Sequence, residues 1–212
     1  MPIATSKRRS DGARGNALIE FALVSVFLLP ILYGVYSIGM GLSQTIAASV
    51  VARDAGSMFM RSVDFSLAQN SAMLVRLGQD LGLQPAGGNG VVTLTKVYHV
   101  ASSDCLTGGF SATGCPNYDQ TVITQRLSIG NTTSGFFTST FGAPPSGIVT
   151  GDGTIPLAEY IANAACRVSN STSLPTLSSG EFAYVSEAYF LTPSLDLPGW
   201  RNNTNLYQRS IF

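Results

Sequence analysis

Few side chains in this sequence have chemistry to offer. His99 is the one histidine, so a histidine-activated nucleophile or a multi-histidine metal centre has almost nothing to draw on. A solvent-facing or hydrogen-bonded strand histidine is its expected state. Glu181 and Glu187 flank a strand-like run, yet separation in sequence alone does not make an acid and base pair of them. The GDG triplet at 151–153 reads as a turn and lacks the spaced carboxylates of a calcium loop. No glycine motif that would cradle a phosphate is present. This inventory argues against an enzyme, and nothing in it calls for a cofactor or a metal.

Glu20 is different. It is the single acidic residue at the head of an apolar segment, and the chain carries no formal charge from Phe21 to Ala52. An ionised carboxylate within a bilayer costs at least about 2.5–3.5 kcal/mol, so its presence there calls for a partner or a purpose. One account is that Glu20 lies close enough to Arg14 and the basic side for its carboxyl to reach the headgroups. The other is a dedicated partner.

The cysteines, Cys105, Cys115 and Cys166, all lie beyond the apolar segment. If that part of the chain is exported, disulfides persist there. Cys105 and Cys115 flank a short glycine-containing stretch and are the candidate bridge between two strands, with Cys166 left over. Three reduced thiols are the alternative.

The elements that position these residues begin with the apolar run. Residues 21–42 are nearly all apolar and, at ~1.5 Å per residue, give ~33 Å of helix, enough for a hydrocarbon core of ~30 Å. Four of the twelve basic residues, Lys7, Arg8, Arg9 and Arg14, precede residue 16, against Asp11 alone among the twelve acidic residues. The positive-inside rule then keeps the stub in the cytoplasm and exports the chain beyond the span. A cleaved secretory signal is the competitor. Its apolar region is typically shorter, about 7–15 residues, although the small residues Ala47, Ala48 and Ser49 suit it. The zero formal charge excludes a broad basic surface, and with it nucleic acid as a partner.

Helical spacing continues beyond the span. Phe59, Val63, Leu67, Leu74, Leu77 and Leu81 form a stripe, and Arg53, Arg61, Asp64, Arg76 and Asp80 lie mostly elsewhere around the helix. The pattern predicts an amphipathic extension ending at Gly82 and Pro85. It is either one helix from Asn16 to Leu81, ~100 Å long, or a helix broken near 41–57, where Gly41 and Gly56 weaken it.

After the glycines at 87–90 come three strand-like runs, at 91–100, 120–129 and 181–191, rich in β-branched and aromatic residues. They predict a three-stranded sheet. Residues 157–168 suit one short helix, and 130–154 and 169–180 read as long surface loops with little core to offer. The sequons beginning at Asn131, Asn170 and Asn202 carry little meaning if the host is bacterial.

Residues 14–21 read RGNALIEF, with basic residues before them and the apolar run after. This resembles the type IVb prepilin signal, and the run GNALIEFALVSVFLLPILYG is similar to the start of TadE-like and TadF-like pseudopilins of tight-adherence (Flp-type) pilus systems. The stretch ARDAGSMFMRS at 52–62 is similar to the region after the span in that family. The resemblance is good over residues 8–62 and weakens beyond, where only the layout and the aromatic, basic end YQRSIF agree. It implies that a prepilin peptidase cuts after Gly15, leaving Asn16 as the new amino terminus, with Glu20 at the fifth mature position and Phe21 next to it. Asn16 is a less usual first residue than a small or apolar one. Glycine suits a peptidase that needs extended, accessible backbone. In a pilin bundle Glu20 would neutralise the amino terminus of a neighbouring subunit.

Within the span, Pro30 removes a backbone hydrogen bond and is expected to kink or loosen the helix. Gly34, Ser37 and Gly41 place small residues on one face, where another helix can approach closely.

The expectation is therefore an α+β protein of four parts: a cytoplasmic basic leader (1–15), a transmembrane helix (16–52), an amphipathic helical extension (53–84) and an exported α+β domain with long loops (85–212). It would sit in the bacterial inner membrane, single-pass, with its C-terminal domain periplasmic or surface-exposed. Its role would be type IVb pilus assembly through helix packing, with the prepilin peptidase, other pilin-like subunits and the inner-membrane assembly platform as partners. The rival is a signal-anchored periplasmic binding or sensor module in which Glu20 is incidental.

Overall fold

A computed structural model describes residues 11–192 and 205–212, with side chains from residue 17 onward. Lys7, Arg8, Arg9 and the sequon at Asn202 lie outside the described residues, as does the side chain of Arg14. The chain divides into two compact units, residues 1–43 and 44–212. This boundary differs from the expected one after residue 52. It falls inside a helix, α1, that runs unbroken over Asp11–Met60.

In the first unit α1 is an apolar rod whose large side chains are exposed on all sides, among them Leu18, Phe21, Phe27, Ile31 and Ile38. With the rest of α1 it is the one helix among the described residues long and apolar enough to cross a membrane. Such a surface, apolar around its whole circumference, does not suit water.

In the second unit the same helix obeys a different rule. Ala48, Val51, Ala52, Ala55 and Phe59 are buried at helical spacing, while Arg53 and Asp54 point out. Gly41 and Gly56 do not interrupt it. Gly56 is instead a close-packing point: a Cβ added there would lie 2.3 Å from the Phe212 ring and 3.1 Å from Ser186 Cβ.

The expected single extension to Leu81 is overturned, because the helix ends at Met60 in a Schellman turn. Ser62 N–H donates to Phe59 O at 2.9 Å and Val63 N–H to Met58 O at 3.1 Å, with Ser62 in the left-handed region at φ 63°. Asp64 then accepts from Ser66 N at 2.9 Å and turns the chain into α2 (Ala68–Leu77). Hence only Phe59, Leu74 and Leu81 of the expected stripe are fully buried, and Leu67 and Leu77 are exposed.

The three expected strands form as β1 (Gly90–His99), β2 (Thr121–Gly130) and β3 (Phe182–Leu191). A fourth, β4 (Asn205–Ile211), completes an antiparallel sheet of order β2-β1-β3-β4. β4 has the strand alternation of a half-exposed edge, with Leu206 packed on the core and Arg209 on the opposite side. A register shift at Lys96/Val97 leaves Thr124 as the extra residue of β2.

Register assigns the two faces, since directly opposed residues share one. Val92 and Leu94 of β1 lie with Ile129 of β2 and Ala188 of β3, and this face receives α1 and α2. Phe59 meets Tyr184 edge to face at 5.4 Å. The burial of Phe59 alone contributes about 1.5–3 kcal/mol. The opposite face carries Thr93, Thr95, Arg126, Glu187 and Arg209.

Two short helices, α3 (Ser102–Thr107) and α4 (Leu157–Ala162), close a second cluster with Val97, Val122, Ile123, Ile155 and Ile161. The sequence pattern does not announce α3. Asp104 starts it by accepting from the Ala101 N–H at 2.8 Å. The helix expected over 157–168 stops at Ala162. Asn163 breaks it by accepting from Ala165 N at 3.0 Å, which begins a 3-10 turn.

Candidate functional site

Gly15, Asn16, Glu20 and Phe21 lie on successive turns of α1, with Glu20 and Phe21 exposed. Nine residues after Phe21, Pro30 continues the helix without a break. The loosening expected there reduces to one missing bond, since Pro30 has no N–H to offer the carbonyl of Val26. Pro30, Gly34, Ser37 and Gly41 recur at helical spacing on one side of the rod. Among the described residues, no atom beyond the adjoining residues and the local helix backbone lies within 4 Å of where a Cβ on Gly34 would be. The small-residue face is thus open to a close neighbour and is not filled by this chain's own side chains at that position.

Cys105 and Cys115 are disulfide-bonded, with Cα atoms 5.4 Å apart. The bridge closes the β1–β2 connection around α3, a short loop for which chain-entropy arguments give about 2–3 kcal/mol. Cys166 is free and buried, and burial pushes its thiol above the ordinary value, which keeps it protonated and poorly nucleophilic. His99 donates or accepts within a small polar set, Asp119 Oδ1 at 3.1 Å and Thr121 Oγ1 at 3.2 Å.

The most built polar arrangement is one that sequence reasoning does not single out. Glu187, expected at the flank of a strand, sits in the middle of β3 and is fully buried. Its Oε1 accepts from Thr140 N at 3.1 Å, Thr140 Oγ1 at 2.9 Å and Tyr207 Oη at 2.8 Å, and its Oε2 from Ser139 Oγ. Arg126 Nη2 lies 3.9 Å from Oε2 and donates to Ser139 Oγ at 2.6 Å, while Nη1 donates to the Gly142 carbonyl.

Burial pushes the Arg126 guanidinium below its usual range, and the Glu187 charge partly opposes that shift. Tyr207 moves the other way: burial first, then the carboxylate of Glu187, push its phenol up to about 12, against a lowering contribution from Thr140. The signal is present in the sequence as one charge inside each of two strand runs, TVITQRLSI and FAYVSEAYFL.

This network fastens the 130–154 segment to the sheet through Ser139 and Thr140. The segment is expected from its composition to offer little core, yet Phe141 is fully buried and Arg209 lies 5.5 Å from its ring centre. Phe137 stacks on Tyr189 at 5.3 Å and on Tyr207 at 6.0 Å. Glu187 is fully buried in this arrangement, while Thr140 and Tyr207 form its exposed edge.

No family model matches the chain, and searches of curated proteins and of solved structures returned no match.

Proposed function

We propose that the chain is a membrane-anchored, pilin-like subunit of the TadE/TadF-like kind. It would serve the assembly of a type IVb tight-adherence pilus by helix packing and not by catalysis. The observation that carries this reading is the double character of α1. Its first part exposes apolar side chains all round, with Glu20 near its head, and its later part buries one stripe against a sheet. A single helix of this kind is suited to hold a folded domain at a membrane while leaving the face around Gly34 open to other helices. The prepilin peptidase would act at Gly15–Asn16, on the cytoplasmic side of the inner membrane. Other pilin-like subunits and the assembly platform would meet the span. Removal of the leader would take Lys7, Arg8, Arg9 and Arg14 with it and weaken the hold on the cytoplasmic face.

N-terminal sequencing of the protein from cells with and without the peptidase tests the proposal. A mature chain beginning at Asn16 only when the peptidase is present is the expected result, blocked by Gly15→Leu. Glu20→Ala is expected to be processed and to assemble poorly. A chain beginning at Met1 or Pro2 in cells with an active peptidase overturns the proposal, and one beginning near residue 49 or 50 indicates an ordinary secreted protein.

A further inference from the structure

Because α1 ends at Met60, it leaves part of its sheet face uncovered, and that part holds a charge. Lys96 of β1 lies on the helix-facing side, opposite Tyr184 in register. Its ammonium sits over the rings of Phe182 at 4.7 Å and Tyr184 at 5.6 Å. Among the described residues no carboxylate forms an ion pair with it. Ring quadrupoles attract a cation but leave its net charge in place.

The lysine borders a cleft of about 460 Å³, a size suited to a small ligand. Tyr98, Tyr160 and Phe182 line it, and none of its lining residues is acidic. Phe182 is half exposed, at 52%. Past Lys96 and Gln125, which border both spaces, a recess of about 170 Å³ carries two carboxylates, Asp64 and Asp152. Both are oriented locally: Asp64 accepts from Ser66 N at 2.9 Å and Asp152 from Thr154 Oγ1 at 2.9 Å. The cleft and the adjoining recess together offer three things in sequence: aromatic walls, one cation without an ion-pair partner among the described residues, and a pair of hydrogen-bond acceptors.

We propose that this cleft binds an acidic saccharide, a uronate-type ring whose carboxylate meets Lys96 and whose hydroxyl edge faces Asp64 and Asp152. A pyranose has apolar C–H faces that suit aromatic walls and hydroxyl donors that suit carboxylate acceptors. An acidic peptide would match the lysine but bring further negative charge toward the two aspartates. The binding does not depend on pilus assembly and is tested apart from it.

The experiment is calorimetric titration of the detergent-solubilised full chain with three probes: a glucose trisaccharide in which one unit is replaced by glucuronate, the all-glucose neutral trisaccharide and triglutamate. The uronate is expected to bind with Kd on the order of a millimolar, and the other two at least about tenfold more weakly. Loss of a charge-assisted contact in Lys96→Met should weaken uronate binding about ten- to hundredfold with the thermal transition unchanged. If that variant misfolds, Phe182→Ala, which removes an exposed wall, should still weaken it several-fold. Equal binding of the uronate and the neutral trisaccharide, or of triglutamate, would overturn the proposal. So would no uronate binding at all, or undiminished binding by both variants.

Discussion

Replacing Glu187 by alanine is the perturbation with the most to reveal. The carboxylate accepts hydrogen bonds from Ser139, Thr140 and Tyr207 and is the only acidic partner of Arg126 among the described residues. Arg126 cannot adapt to the change by moving to water, because its guanidinium is held under the 139–142 segment with 11% of the side chain exposed. Removing one partner of such a pair leaves an uncompensated buried charge, at about 3–5 kcal/mol. In a unit of this size each kcal/mol moves the thermal midpoint by about 2–4 °C, so a fall of roughly 6–20 °C is expected. Replacing both partners, as in Arg126→Met with Glu187→Leu, removes the charge together with its complement. The double variant should then be more stable than Glu187→Ala by about 2–3 kcal/mol. Chemical denaturation monitored by circular dichroism measures all three proteins. A loss below about 1 kcal/mol for Glu187→Ala, or a double variant no more stable than the single one, would refute the view that this pair fastens the loop to the sheet.

Local geometry supports two other expectations. Ser62 holds a left-handed backbone at φ 63°, so Ser62→Gly should stabilise the second unit by about 0.5–1 kcal/mol after the entropic cost of glycine, measured by the same denaturation. Tyr207, with its phenol pushed up to about 12, keeps its proton more tightly when folded than when unfolded. Its contribution is fully present below the unfolded value of about 10 and is lost as pH rises from there through 12. The raised phenols of Tyr98 and Tyr160 act in the same direction. Stability should fall above pH 10 more gently in Tyr207→Phe than in the parent, and absorbance titration of tyrosinate should show delayed ionisation in the folded protein.

The sequence by itself determined the elements whose signal is local. A long uncharged run can only be a helix with an apolar surface, and runs such as VVTLTKVYHV have little alternative to strand. The place of the glycines after Leu83 and the short loop between Cys105 and Cys115 were legible for the same reason. Tertiary structure decided what depends on partners distant in the chain. Gly56 stays helical because its missing side chain admits Phe212, and the helix ends instead at Met60, where the left-handed residue of the turn is Ser62, with no glycine to announce it. β4 becomes a strand by pairing with β3, which gives a short polar-apolar segment its hydrogen bonds. Glu187 and Arg126, 61 positions apart by residue number, become one buried pair only when β1, paired with both of their strands, sets β2 and β3 in register on either side of it. A buried charge is stable only beside its complement, and that complement is fixed by folding, not by the neighbouring residues in sequence.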